Sequence, residues 1–218
     1  MKQYLAAVLA VWFVLIYVLG AKGVFVRPPA TPPLPILLGF TVPIALFLAA
    51  YVAWDSFRRA LLAADLRLLT AIQAWRAGGL GFLALAAHGV LPGLFAWPAG
   101  LGDIAIGVTA PWVAITLMRR PAFAASGLFV LWNVLGILDL VTAITTGALS
   151  SGFLPDLVNS PTTAPMAQLP LVIIPAYLVP LFVMLHLTAL FQARRLRETS
   201  SITPKSSSTL KTHKEGGN

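Results

Sequence analysis

The stretch that decides the fold is residues 122–148, AFAASGLFVLWNVLGILDLVTAITTGA, in which Asp139 is the only charged residue. A membrane-spanning helix needs about 20 predominantly apolar residues, and this run is long enough. A strand of a membrane barrel would show about ten residues of alternating hydrophobicity, whereas this run is continuous. The stretch therefore predicts a transmembrane helix, although an acidic side chain near its centre costs about 2.5–3.5 kcal/mol on insertion scales.

The rest of the chain has the same character. Its 218 residues are 58% hydrophobic and only 10% charged, whereas a soluble domain carries about 25% charged residues. Six stretches have the length and hydropathy of a span: 4–20, 35–54, 77–95, 101–118, 122–148 and 168–191. The sequence predicts an all-α polytopic membrane protein, a bundle of six transmembrane helices in a domain over residues 1–197.

The positive charges predict the orientation of this bundle. If both termini are cytoplasmic, only Lys22 and Arg27 of the 15 lysines and arginines lie outside, as the positive-inside rule requires. This distribution accounts for the net charge of +8, so we expect no nucleic acid as a partner. We expect membrane lipid and a small-molecule ligand instead.

Two segments are predicted to lie outside the membrane. Residues 55–76 carry charged residues on one face and leucines on another, which is typical of a helix on the cytoplasmic membrane surface. Residues 198–218 are rich in Ser, Thr, Lys and Gly without apolar periodicity, which predicts a disordered cytoplasmic tail. A cleavable signal peptide is an alternative for the first apolar run, but Gly20-Ala21-Lys22 is a poor cleavage site.

Several kinds of chemistry are excluded or not expected. The chain has no cysteine, which excludes thiol nucleophiles, thiolate metal sites and covalent haem attachment. Residues 100–105, GLGDIA, match a dinucleotide-binding pattern, but that motif needs a preceding strand. Haem between His88 and His186 would require two ligands at one depth, and the predicted spans separate them by about 12 Å. We expect no cofactor.

Asp103 follows a predicted turn at residues 96–102, which contain Pro98, Gly100 and Gly102. Aspartate is a favoured N-cap, because its carboxylate accepts hydrogen bonds from the first free amides of a helix. The pattern predicts that Asp103 caps the fourth helix at the outer side. Gly107 continues the same face, which indicates close helix packing there.

Asp139 is less easily explained as structure. Thr142 and Thr146 share its helical face and form a polar stripe toward the outer surface, whereas Asn133 lies on another face and is typical of a hydrogen bond between helices. Intramembrane ionisable side chains are functional candidates by default. Counted along the predicted spans, five polar residues lie at similar depths in the outer half of the membrane. We expect them to form one ligand-binding site: His88, Asp103, Asp139, Thr142 and Thr146.

A family resemblance rests on the stretch Leu91–Pro111, LPGLFAWPAGLGDIAIGVTAP. It resembles a stretch of small multi-pass proteins of the bacterial inner membrane that carry a Pro-Ala-Gly-x-Gly-Asp motif, and the similarity extends through spans three to six. The resemblance implies a location in the bacterial cytoplasmic membrane. It implies no activity.

Three functions remain open from the sequence. The leading hypothesis is an outward-facing intramembrane site that binds or transports a small molecule or a proton. A membrane-embedded hydrolase would use Asp103 or Asp139 with His88, although no Ser-centred elbow motif is present. An accessory protein would use the same polar residues only for structure, as a fully hydrogen-bonded network without a cavity.

Overall fold

A computed structural model of the protein describes residues 2–28, 30–154 and 161–202. The described residues are helices and connecting turns, without a strand. The α-helices are α1 (Lys2–Ala21), α2 (Leu34–Ala53), α3 (Asp55–Leu62), α4 (Leu66–Ile72), α5 (Leu80–Ala87), α6 (Gly93–Arg119), α7 (Gly127–Leu149) and α8 (Val179–Ile202). A 3₁₀ segment (Gln73–Gly79) joins α4 to α5, and a π-helical turn (Ile174–Leu178) leads into α8.

Six helical stretches in the described part of the chain are long and apolar enough to cross a membrane, which confirms the predicted all-α six-span class. Their bounds are Gln3–Ala21, Leu34–Ala53, Leu66–Ala87, Gly93–Arg119, Gly127–Leu149 and Ile174–Thr199. The protein is therefore a helical, multi-pass membrane protein.

The third span differs most from its prediction. It begins at Leu66 and includes Arg76, whereas the sequence placed its start at residue 77 and assigned residues 55–76 to a surface helix. Only α3 remains outside the spans in that region. The prediction treated the charges of residues 55–76 as too many for the membrane interior, but Arg76 is paired inside the bundle. Arg67 lies at the start of the span with an exposed side chain.

Asp65 is the N-cap residue of helix α4, immediately before the third span begins. Its carboxylate accepts a hydrogen bond from the backbone N–H of Arg67 and pairs with the Arg67 side chain at 3.0 Å. These hydrogen bonds from Arg67 lower the pKa of Asp65 below its ordinary value. Helix α6, which Asp103 was predicted to cap, follows Pro92 and has no side-chain cap.

The fourth span also begins earlier than predicted. Residues 96–102 are helical and lie within α6, so the expected turn there is wrong. The chain reverses at residues 88–92, where Gly89 has a φ of +68°. Glycine and proline are more frequent in transmembrane helices than in soluble ones, so a run that predicts a turn in water is tolerated here.

The connections between helices lie at two opposite ends of the bundle, and hydrogen bonds join them at each end. The backbone N–H of Ala30 bonds to the carbonyl of Gly152, which ties the α1–α2 connection to the end of α7; we call this the cavity end. At the other end the side chain of Gln192 bonds to the carbonyls of Leu61 and Ala64. We call this the arginine end, because it carries Arg58, Arg59, Arg119, Arg120, Arg194 and Arg195.

The centre of the bundle is formed by the third span, α6, α7 and α8. Helix α6 lies directly against the 3₁₀ segment at Gly107, where a Cβ atom would meet the backbone of Arg76 and Ala77. Only glycine permits this approach, since no side chain fits between the two backbones. Helix α1 is peripheral, and the Tyr177 hydroxyl donates to the carbonyl of Leu9 in α1.

The predicted disordered tail falls partly within α8. The helix continues to Ile202, so residues 198–202 are helical and not irregular. Residues 203–218 lie outside the described residues.

Candidate functional site

The candidate site is centred on Arg76, whose side chain is only 1% exposed. Arg76 lies in the 3₁₀ segment of the third span, halfway between Leu66 and Ala87. The close contact of this segment with Gly107 brings the arginine against α6 and α7. A buried guanidinium in a membrane bundle must be paired, because an unpaired charge there is strongly unfavourable.

Arg76 is paired with two aspartates from two different helices. Its Nε donates to Oδ1 of Asp103 in α6 at 2.7 Å, and its Nη2 donates to Oδ2 of Asp139 in α7. The side chains of Asp103 and Asp139 are 14% and 12% exposed. Asp103 is thus an interior residue of α6 that binds the arginine, and its predicted role as an N-cap is wrong.

The other side of the guanidinium faces α7 and α8. Arg76 Nη1 donates to the carbonyl of Gly136 at 3.3 Å and lies 3.1 Å from Nε2 of His186. His186 is 1% exposed. Gly136 leaves space for the imidazole, since a Cβ atom at that position would overlap the ring.

The hydrogen bonds of His186 define its tautomer. Asn133 donates from Nδ2 to the carbonyl of Phe129 at 2.8 Å, which leaves Oδ1 as the atom 2.9 Å from His186 Nδ1. An amide oxygen only accepts, so His186 Nδ1 carries the proton. Nε2 then accepts from Arg76, because a guanidinium only donates. Each donor in the chain from Arg76 through His186 and Asn133 to Phe129 therefore meets an acceptor.

We call the five side chains of Arg76, Asp103, Asp139, Asn133 and His186 the Arg76 cluster. Their residues lie close to the midpoints of their spans in the third, fourth, fifth and sixth candidate spans. The cluster is therefore at mid-depth in the bundle and not at its outer rim. Among the described residues, no other group of ionisable side chains is buried in the interior.

Three of the predicted site residues lie outside this cluster. His88 is exposed at the end of α5, with its Nδ1 2.8 Å from the carbonyl of Ala84. Thr142 and Thr146 both donate to carbonyls of their own helix at 2.8 Å. Asp103 and Asp139, by contrast, do come together through Arg76. The outer-half grouping failed for His88 because the third span ends before it.

Arg76, His186 and Asn133 were missed as site residues for different reasons. Arg76 was placed at the membrane surface, and His186 was placed near the inner end of a span that was cut short. The three- and four-residue intervals of α7 could have placed Asn133 and Gly136 on a buried face. They share a face with the buried Leu140 and Ala143 of α7, and this face is the one toward α8.

Further buried polar side chains continue from the cluster toward the arginine end. Thr70 and Gln73 precede Arg76 in the third span and are each 1% exposed, and Thr188 and Gln192 follow His186 in α8 at 2% and 9%. Gln73 donates to the carbonyl of Phe182 at 3.4 Å, but its Oε1 is buried without a partner among the described residues. The half of the bundle toward the arginine end is therefore more polar than its sequence suggested.

A cavity of about 100 Å³ opens at the cavity end, separate from the cluster. It is lined by residues of the α1–α2 connection, α6, α7 and the segment before α8, including Phe95 and Gly147. Each of these two is eight residues from the aspartate of its own helix, which corresponds to about 12 Å of depth. Buried apolar side chains, among them Leu140 and Ala143, lie between the two sites.

The cluster combines two carboxyl groups with one guanidinium. If both carboxyl groups are ionised, the group carries one excess negative charge in a low-dielectric interior, where an uncompensated charge is costly. A proton or a cation removes this excess. The hydrolase expected from the sequence would combine Asp103 or Asp139 with His88, and His88 lies outside the cluster at the end of α5.

Comparison with known families gives one match. A family model described as a domain of unknown function (DUF8737) matches residues 33–194, which include spans two to five and most of the sixth. The matched region contains every residue of the Arg76 cluster. No curated protein and no solved structure matches the chain.

Proposed function

The chain belongs to the DUF8737 family, and we propose that it is a proton-binding protein of the bacterial inner membrane, which takes up and releases one proton at the Arg76 cluster. One observation carries this proposal: Asp103 and Asp139 share a single guanidinium at mid-depth. The excess carboxylate is neutral only when it is protonated or when it binds a cation. A proton fits best, because no group of three or more metal-ligating side chains exists among the described residues.

The free oxygens of the two carboxyl groups support proton exchange. Arg76 engages Oδ1 of Asp103 and Oδ2 of Asp139, and the remaining oxygen of each group has no hydrogen-bond partner among the described residues. Both side chains keep a small exposed fraction, whereas Arg76 is almost fully buried. A proton can therefore be held on a free oxygen without breaking the ion pair.

The polar side chains toward the arginine end favour exchange of this proton with that end of the bundle. Thr70, Gln73, Thr188 and Gln192 extend the buried polar region from the cluster toward that end. By the positive-inside rule we assign the arginine end to the cytoplasm and the cavity end to the outside. The proton would then exchange with the cytoplasmic side along the polar region that these side chains line.

Infrared spectra of the purified protein test this proposal directly. A protonated carboxyl group has a C=O stretch distinct from that of a carboxylate. As the pH is lowered the exposed carboxyl groups protonate too, and the difference spectra should contain one further band, at the higher frequency of a carboxyl group in apolar surroundings. Asp139→Asn and Asp103→Asn keep the side-chain shape but should each remove or shift this band. Asp55→Asn is the matched control, since Asp55 is an exposed carboxylate paired with Arg58 outside the spans. An unchanged band in both cluster variants would contradict the proposal.

One observation favours an accessory protein with a purely structural cluster as a second candidate. No residue of the Arg76 cluster lines the cavity at the cavity end. Arg76 already makes four hydrogen-bond contacts within the bundle. The same spectra separate the two functions. A structural cluster would lack the further carboxyl band, and reconstituted vesicles would show the same proton flux with Asp139→Asn as with the unaltered protein.

A further inference from the structure

The cavity at the cavity end has the composition of an anion-binding site. Arg27 is the only cationic side chain that lines it, and no acidic side chain among the described residues does. The guanidinium of Arg27 has no ion-pair partner within the described part of the chain. A ligand that enters this cavity therefore meets the positive charge of Arg27.

The other polar residues of the cavity wall are Thr31, Ser151, Thr163 and Gln168. The Ser151 hydroxyl is buried without a hydrogen-bond partner in the described residues. The carbonyls at the end of α7 are already occupied, because Thr163 Oγ1 donates to Gly147 at 2.6 Å and the backbone N–H of Ser151 donates to Ala148 at 3.1 Å. Helix α2 begins at the cavity, with Pro33 and Ile36 in the cavity wall.

The remainder of the lining is apolar and held in place. Phe25, Phe95, Ile144 and Met166 contribute to the wall. The backbone N–H of Thr163 bonds to the carbonyl of Ser150 at 2.9 Å, which ties the segment before α8 to the end of α7. A cavity with fixed walls, one cation and an apolar body suits a ligand with a single anionic group and a short apolar chain.

We propose that this cavity binds a small organic monocarboxylate, with its carboxylate at Arg27 and its apolar chain against Phe95 and Ile144. A carboxylate matches the single charge and the planar geometry of a guanidinium. Its chain would displace water from apolar walls, which stabilises the complex. The site is distinct from the Arg76 cluster and does not depend on the proton proposed there.

Equilibrium dialysis of the full-length protein in detergent tests this proposal, with isotope-labelled hexanoate as the probe. We expect saturable binding of one hexanoate that hexanamide, its uncharged analogue, does not displace. Arg27→Gln should weaken the affinity by about tenfold to a hundredfold, which is the contribution of one charged hydrogen bond. Lys22→Gln is the matched control, because Lys22 lies at the same end outside the cavity lining.

A second pair of variants tests the position of the chain. Ala148→Leu adds three carbons to the cavity wall and should abolish hexanoate binding, whereas Ala105→Leu adds them to the exposed face of α6 and should leave it unchanged. The proposal is overturned if hexanoate does not bind, if Arg27→Gln binds as tightly as the unaltered protein, or if hexanamide competes equally. Competition by dodecanoate would assign the site to carboxylates that arrive from the bilayer, and its absence would assign it to soluble ones. The Asp139→Asn variant should bind hexanoate normally, so this test can fail independently of the proton site.

Discussion

Replacement of Arg76 by methionine, which has a similar reach and no charge, should be the most destabilising single change in the bundle. The arginine makes four contacts, to Asp103, Asp139, Gly136 and His186. At about 0.6 kcal/mol for each polar contact between transmembrane helices, their loss sums to about 2.4 kcal/mol. The variant also leaves two carboxyl groups without their partner, which raises the expected loss to about 3–5 kcal/mol.

The triple variant Arg76→Met, Asp103→Asn, Asp139→Asn separates these two contributions. It loses the same contacts but leaves no carboxylate unpaired, so it should be more stable than Arg76→Met alone by about 1–3 kcal/mol. Unfolding of purified protein by SDS in mixed micelles, followed by the fluorescence of the six tryptophans, measures both differences. A loss below about 1 kcal/mol for Arg76→Met, or a triple variant no more stable than the single one, would refute the charge-pairing argument.

Three further predictions follow from other parts of the structure. His88→Ala should change the unfolding free energy by less than about 0.5 kcal/mol, because His88 is exposed and its hydrogen bond is to its own helix. His186→Ala should cost more than about 1 kcal/mol, because Asn133 Oδ1 loses its donor and Arg76 Nη1 loses one of its acceptors, and the same SDS titration compares the two variants. Gly136→Ala should cost about 1–3 kcal/mol, because its methyl group overlaps the His186 ring, whereas Gly127→Ala, which has open space, should not; a smaller cost at Gly136 than at Gly127 would contradict the packing. Reporter fusions after Met118 should be cytoplasmic and those within residues 150–165 external, and a cytoplasmic signal from the latter would reverse the assigned orientation.

The class of fold was predictable because it depends on local composition. Length and hydropathy of each run are sufficient to count six spans, and neither depends on what a helix touches. The bounds of the third and fourth spans were not predictable by the same means. Residues 96–102 contain Pro98 and two glycines, which end helices in water but are tolerated within α6.

The site itself depends on pairing between distant parts of the chain. Asp103 and Asp139 were singled out correctly as polar residues that need an explanation, but their common partner is 27 residues from the first and 63 from the second. Arg76 alone looks like a residue that keeps its helix out of the membrane, and each aspartate alone looks like a cap or a helix contact. The free-energy cost of burying these charges in the bilayer is lower when all three side chains are buried together, because the arginine and the aspartates compensate each other's charge.

The net charge of the six predicted spans would have indicated this cluster. Those spans contain Asp103 and Asp139 but no arginine or lysine, so two negative charges are left without a cation. In the interior of a six-span bundle a carboxylate needs a cation nearby, and the inner and outer loops supply none at mid-depth. Arg76 satisfies this requirement because the run from Leu66 to Ala87 remains apolar enough to span with the arginine at its centre. Two aspartates near the midpoints of adjacent spans therefore indicate that the nearest interrupted apolar run is also a span, with its arginine directed inward.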